Sequence, residues 1–248
     1  MEPVFRMLEV AGRTAVRATG TRITYQGLEH IPASGGAVVA INHTGYLDFL
    51  PAALAAMYRK RRMRFMIKAE MDDVKIVHFF IKHSKTIPVD RRAGADAYGV
   101  AVQRLRDGEL VGVYPEATIS RSFELKDFKS GAVRMAQAAD VPIVPLIVWG
   151  AQRVWTKDHP KNVGRKKFPI NVAVGPGFEP SESVDAAMAQ LRQAMTALLH
   201  QAQAGYPHPA GEYWVPRRLG GGAPTLEEAS AIEEAELSER ARRRAEPN

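Results

Sequence analysis

Short, compact apolar runs alternate along this chain with longer amphipathic segments, and no other feature restricts the fold as much. Arg22 to Gln26, Ala37 to Ile41, Arg64 to Lys68, Thr86 to Val89, Leu110 to Tyr114, Ile143 to Val148 and Ile170 to Val174 read as strands. Between them, Leu47 to Tyr58, Asp72 to Lys82, Ala95 to Arg106, Gly131 to Ala139 and Val184 to Gln203 read as helices. Pro51 falls near the first turn of its helix, where a missing N–H does no harm. Ala37 to Ile41 follows Ser34-Gly35-Gly36 and is apolar at every position, as a strand buried on both faces must be. Strands and helices alternating at this spacing predict an α/β fold with a central, mostly parallel sheet flanked by helices.

The two ends read differently. Val4, Phe5, Leu8, Ala11, Ala15 and Val16 recur near helical spacing, with Arg6, Arg13 and Arg17 on other sides. That predicts an amphipathic helix over residues 1–20, packed on the domain or lying in a lipid interface. Residues 21–205 would form the main domain. In 206–248, prolines and Gly220-Gly221-Gly222 mark a linker, and the Glu/Arg-rich end reads as a peripheral helix or a disordered tail. Met1 to Thr19 lacks the continuous apolar core of a secretory signal, and no window has the ~18 apolar residues of a spanning helix. The expectation is an intracellular protein, peripheral to a membrane at most.

Charge and cysteine content narrow the chemistry. With no cysteine there is no disulfide, thiolate metal site or cysteine nucleophile. The net charge is +7; Thr225 to Asn248 holds seven glutamates against four arginines, a local −3, which leaves +10 for the rest. The densest basic run, Arg59-Lys60-Arg61-Arg62, could meet an anionic lipid surface or be a solvated turn after a helix. No nucleic-acid motif or aromatic stacking pattern accompanies it, so nucleic acid is not an expected partner.

In open α/β sheets, sites form where strands end and helices begin. Polar clusters occupy three such junctions: Asn42 to Asp48, Asp90 to Arg92 and Pro115 to Ser122. His43 and Asp48 are five residues apart, a rotation of about 140° in a continuous helix, so they can meet only if the chain turns at Thr44-Gly45. Asp48 would then fix one imidazole nitrogen and leave the other to take a proton. Such a general-base dyad without a protein nucleophile suits a substrate hydroxyl attacking a thioester. As an isolated pair, His43 and Asp48 could equally be a histidine satisfying a helix terminus. Arg91 could clamp a phosphate or form a surface ion pair, Glu116 could orient a hydroxyl or cap a turn, and Lys68 could face the site or solvent. No Gly-x-Ser-x-Gly elbow, Walker loop, dinucleotide fingerprint or zinc motif is present.

Taken in order, four segments resemble the blocks of the glycerolipid acyltransferase family, typified by 1-acylglycerol-3-phosphate acyltransferase. Asn42-His43-Thr44-Gly45-Tyr46-Leu47-Asp48 looks like the first block, Asn-His-x-x-x-x-Asp. Ile87-Pro88-Val89-Asp90-Arg91 resembles the second, and Tyr114-Pro115-Glu116-Ala117-Thr118-Ile119-Ser120 the third, usually Phe-Pro-Glu-Gly-Thr-Arg-Ser. Val141-Pro142-Ile143-Val144-Pro145-Leu146 is similar to the fourth, and Lys68 sits where members carry a lysine between the first two. The resemblance implies that His43 is the base and Asp48 its partner. It implies that Arg91, Glu116 and Thr118, with Lys68, bind the acceptor and that Pro142 shapes the acyl-donor side. The donor would be acyl-CoA or acyl carrier protein, with no cofactor or metal, and the leading acceptor a lysoglycerolipid, lysophosphatidic acid first. Phe5 and Leu8 of the first helix, with Arg59, Lys60, Arg61 and Arg62, would hold the protein on the cytoplasmic face of a membrane. The third block departs from the pattern at Ala117 and Ile119, so Arg92, Arg121, Lys126 or Lys129 would have to supply the missing cation.

Overall fold

A computed structural model of the chain describes residues 3–68, 87–89 and 94–245. The helix expected over Asp72 to Lys82 lies outside the described residues. Seven strands form one sheet: β1 (Arg22–Gln26), β2 (Ala37–Ile41), β3 (Met63–Lys68), β4 (Ile87–Val89), β5 (Leu110–Val113), β6 (Ile143–Trp149) and β7 (Pro169–Val174). Their order across the sheet is β1-β7-β6-β2-β5-β3-β4. Every neighbouring pair is parallel except β6 and β7. The central, mostly parallel sheet flanked by helices is therefore as the alternation predicts.

Strand β2 shows why the sheet holds together. Successive side chains of a strand point to opposite faces. Val38 and Ala40 join one apolar cluster, together with Val133 and Ala136 of α4 (Gly131–Ala139) and Leu191 and Met195 of α5 (Val184–Gln203). Ala37, Val39 and Ile41 join the other, with Ala52 and Ala55 of α2 (Phe49–Tyr58). Each fully buried aliphatic side chain is worth roughly 1.5–3 kcal/mol, so a strand apolar on both faces has no stable position except the middle of the sheet. The helix α3 (Gly94–Arg106) adds Ala101 and Leu105 to the first cluster.

The terminal segments dock on this body. Helix α1 (Pro3–Thr19) lies against α2: Glu9 pairs with Arg62 at 3.3 Å, and the Phe5 ring faces the guanidiniums of Arg62 and Arg64 at 4.9 and 5.2 Å. Met7 and Val10 stay exposed, at 51% and 58%. The stretch after Gly205 is not a loose connector, because Tyr206, Trp214, Val215 and Ala223 are buried against the first cluster. Helix α6 (Leu226–Ala245) follows, its start fixed by a reciprocal cap: Thr225 Oγ1 accepts from the Glu228 N–H at 3.1 Å, and a Glu228 carboxylate oxygen accepts from the Thr225 N–H at 2.8 Å. Among the described residues no helix is long and apolar enough to cross a membrane.

Strand direction decides which residues can share a site. β2, β5 and β6 are adjacent and parallel, so the loops that follow them open side by side at one edge. Helix α2 carries the chain from that edge back to the other, which puts Arg59 to Arg62 at the far end of the sheet. There Arg61 donates to the carbonyls of Pro32, Gly35 and Gly108, each at 2.7 Å, and Arg59 to that of Ile31 at 3.3 Å. Lys60 is the exposed member of the run. Arg59 and Arg61 thus clasp loops at the far edge of the sheet.

Candidate active site

The first loop of the open edge is built by backbone hydrogen bonding. Asn42 continues β2 through its side chain, donating to the Val148 carbonyl at 3.0 Å and accepting the Val148 N–H at 2.7 Å. The chain then turns at Thr44 and Gly45, and Asp48, at the N-cap position of α2, folds its side chain back onto that turn and not onto the helix. Asp48 Oδ2 accepts the Thr44 N–H at 2.7 Å and the Gly45 N–H at 2.8 Å, and lies 3.2 Å from His43 Nδ1. Glycine is required at 45 by close approach: a Cβ there would stand 2.9 Å from the Trp155 carbonyl oxygen. The turn that the spacing demands is present, and the two side chains meet.

The surroundings set the chemistry of this pair. The His43 ring stacks on Tyr114 at 4.0 Å between centroids, and its side chain is 19% exposed. Nδ1 faces Asp48, which leaves Nε2 for a substrate. Asp48 is fully buried. Burial pushes its pKa up, against the pull of His43 and of the two backbone N–H groups. A carboxylate in so dry a place gains most from a neighbouring cation, so it favours the imidazolium that forms when Nε2 accepts a proton.

Glu116 holds the same loop from the other side. One carboxylate oxygen accepts the His43 N–H at 2.8 Å and the other the Lys126 N–H at 3.0 Å. It is buried, with both oxygens turned to the backbone, so it positions the His43 loop where the sequence reading has it contacting the acceptor. Burial pushes its pKa up to about 8, although both N–H groups and the Lys126 charge oppose the shift. The folded state therefore holds a proton that the unfolded chain releases near its ordinary value of 4.5. Between those limits the folded state binds more protons, so stability is greatest at the acid end and falls as pH rises towards about 8. Glu116→Gln is expected to flatten that slope in thermal melts taken from pH 5 to 8, while lowering stability by ~1–3 kcal/mol because one N–H loses its acceptor. An unchanged slope would show that Glu116 does not titrate there.

The other expected residues divide. Thr118 is at the edge and accepts from Lys126 Nζ. Ala117 adopts φ 60°, a left-handed conformation that glycine enters without strain, which accounts for the glycine usual at that place in the resembling block. Ile119 is buried, whereas Arg121 and Lys126 lie beside the loop. Lys68 ends β3 at this edge, but its side chain is not among the described positions; neither is that of Leu8, and Arg91 lies outside the described residues. Pro142 is not brought to the site. It precedes β6, and its carbonyl accepts the Val38 N–H at the opposite edge, 3.0 Å away.

A third loop, after β6, was not singled out by the sequence. Thr156 donates to the Thr44 carbonyl at 2.7 Å, the Trp155 carbonyl accepts the Tyr46 N–H at 3.0 Å, and the Tyr46 and Trp155 rings pack at 4.4 Å. The strand-end rule that picks out the other junctions applies equally at Gly150, and Tyr114 could have been found as the residue joining β5 to Pro115-Glu116.

Comparison with known proteins places this arrangement. The chain is 32% identical over 123 residues to a 1-acyl-sn-glycerol-3-phosphate acyltransferase of Bacillus subtilis, covering 49% of this chain and 60% of that protein. It is 32% identical over 139 residues to a probable enzyme of the same name from Mycoplasma pneumoniae, covering 53% of this chain and 51% of that one. The chain thus spans less than two thirds of the length of these relatives. The crystal structure of the 1-acyl-sn-glycerophosphate (LPA) acyltransferase PlsC from Thermotoga maritima shares the fold, with a TM-score of 0.70 and 20% identity over 83% of this chain and 82% of that one. A family model described as Acyltransferase matches residues 22–149, from β1 through β6, and the stretch includes His43, Asp48 and Glu116; with just over half its length so matched, this chain belongs to that family.

Proposed function

We propose that this chain transfers a fatty acyl group from a thioester, acyl-CoA or acyl carrier protein, to a hydroxyl of a lysoglycerolipid, with 1-acylglycerol-3-phosphate as the first acceptor. The observation that carries the proposal is His43 itself, part-exposed, with Nδ1 against a buried carboxylate at 3.2 Å, so that Nε2 is the nitrogen left for a substrate. His43 Nε2 takes the hydroxyl proton as the acceptor oxygen attacks the thioester carbonyl. The tetrahedral intermediate collapses, the carbon–sulfur bond breaks, and the thiolate leaves and recovers the proton from the imidazolium. The names of the similar proteins support the acceptor; the buried Ile119 in the third block argues for including other lysophospholipids and glycolipids in the test.

Membrane attachment belongs to the same proposal. Tyr46 and Phe49, exposed at the open edge, and Met7 and Val10, exposed on α1 towards its Arg62 end, offer apolar side chains for such contact. A protein working on lysolipids would rest there on the cytoplasmic face of a membrane. Purified protein given labelled acyl-CoA or acyl carrier protein and a panel of lysolipid acceptors should convert 1-acylglycerol-3-phosphate to phosphatidic acid faster than any other acceptor. Binding to anionic vesicles without transfer to any acceptor would replace this reading with that of a non-catalytic lipid-binding protein.

A further inference from the structure

Three cations stand beside the His43 loop, and carboxylates from the far end of the chain cover them. Arg121 follows Ser120, whose N–H donates to the His43 carbonyl at 2.7 Å. Lys126 donates its N–H to Glu116, which also holds the His43 N–H. Lys157 follows Thr156, whose hydroxyl holds the Thr44 carbonyl. From α6, Glu233 pairs with Lys126 Nζ at 2.6 and 2.7 Å, while one oxygen of Glu236 accepts from Lys157 Nζ at 2.7 Å and from Arg121 Nη2 at 2.8 Å. Arg121 also pairs with Asp158.

We propose that Arg121, Lys126 and Lys157 form a phosphate-binding site beside the His43 loop, and that Glu233 and Glu236 of α6 close it when no such ligand is bound. Three features favour a ligand over a purely structural ion-pair cluster. Arg121 is more than nine-tenths buried, yet its Nη1 has no hydrogen-bond partner among the described residues; the Glu233 carboxylate stands 3.8 Å from it. A guanidinium in that position has a donor left for a further oxygen, and its planar fork fits phosphate geometry. Next, charge balances: without the two glutamates, the one ion pair left to these three cations among the described residues is that of Arg121 with Asp158, and with Glu116 held neutral up to about pH 8 the excess of two matches a phosphomonoester dianion.

Finally, α6 is held in a way that permits release. Among its described side chains, Ala229 is the buried apolar one, while Leu226, Ile232 and Leu237 are exposed. The helix start is fixed by its cap, but beyond it docking rests on ion pairs among partly buried side chains, with Arg121 itself buried, so release requires an anion that takes the place of the carboxylates. A phosphate that makes the same contacts can displace such carboxylates, and a strap closed ~90% of the time weakens apparent binding about tenfold. The proposal rests on the acyl-transfer reading only for the natural source of the phosphate, which could be the acceptor headgroup or the nucleotide of a CoA donor.

The test is calorimetric titration of the full chain at low salt with three probes: inorganic phosphate, glycerol 3-phosphate for the acceptor side and adenosine 3′,5′-bisphosphate for the donor side. Glu233→Gln/Glu236→Gln should bind at least one probe about tenfold more tightly than the wild type, and adding Lys157→Gln to that variant should remove most of the gain. In the wild type, the bound probe should speed amide exchange in α6. The probe that gains most identifies the source. Equal affinity in wild type and double variant with unchanged exchange, or no binding in any of them, would overturn the site. Acyl transfer is not part of the readout, so failure of the transfer assay and failure of this site are separate results.

Discussion

His43→Ala is expected to lower acyl transfer by ~10²–10⁴-fold, the usual contribution of a positioned general base, with the loss in kcat and little change in KM. The structure allows so clean a separation because the loop is held by the backbone of residue 43. Its N–H goes to Glu116 at 2.8 Å and its carbonyl to Ser120 at 2.7 Å, and alanine keeps both. What alanine removes is the ring stacked on Tyr114 and the contact with Asp48. The thermal midpoint should therefore move by only a few degrees, since a single stacked, part-exposed ring contributes ~1 kcal/mol beyond its area. Steady-state kinetics with labelled thioester, beside a melt of the same preparation, checks both halves. Transfer at the wild-type rate by a folded His43→Ala protein would remove the mechanism proposed for this edge.

How much of this was readable from the chain depends on what kind of interaction makes each feature. β2 was legible because burial on both faces leaves a mark at every residue from Ala37 to Ile41. The meeting of His43 and Asp48 was legible as a condition, a turn at Thr44-Gly45, because the angle between helical positions is fixed by geometry. Pro142 was misplaced for a physical reason: proximity in a motif order says nothing about which end of a strand a residue occupies, and β6 runs parallel to β2 with Pro142 at its start. Residues 206–225 looked like a linker because glycine and proline dominate the pattern, yet Trp214 and Val215 bury there. Pairing of Lys126 with Glu233 and of Arg121 with Glu236 left no trace, since a charged residue carries no mark of a partner more than a hundred positions away.

Asp48 should separate chemistry from architecture, because one oxygen does both. Oδ2 accepts two backbone N–H groups and faces His43 Nδ1, while Oδ1 has no hydrogen-bond partner among the described residues. In Asp48→Asn the amide oxygen can take the place of Oδ2 and keep all three contacts, so the loop survives. The negative charge is lost, and with it the stabilisation of the imidazolium; transfer should fall by ~10²-fold or more. Stability should change little, since relief from burying a charge is set against an amide NH2 left without an acceptor at the Oδ1 position, and the melting temperature should stay within a few degrees of the wild type. Asp48→Ala is expected to lose both: two buried N–H groups without an acceptor cost ~1–3 kcal/mol each, and the ring loses its orientation. Rates and melts on the two variants therefore give a crossed pattern, an inactive but stable asparagine form and an inactive, unstable alanine form. An asparagine form with wild-type turnover would assign Asp48 to the loop alone, and the proton transfer at His43 would then need no buried charge.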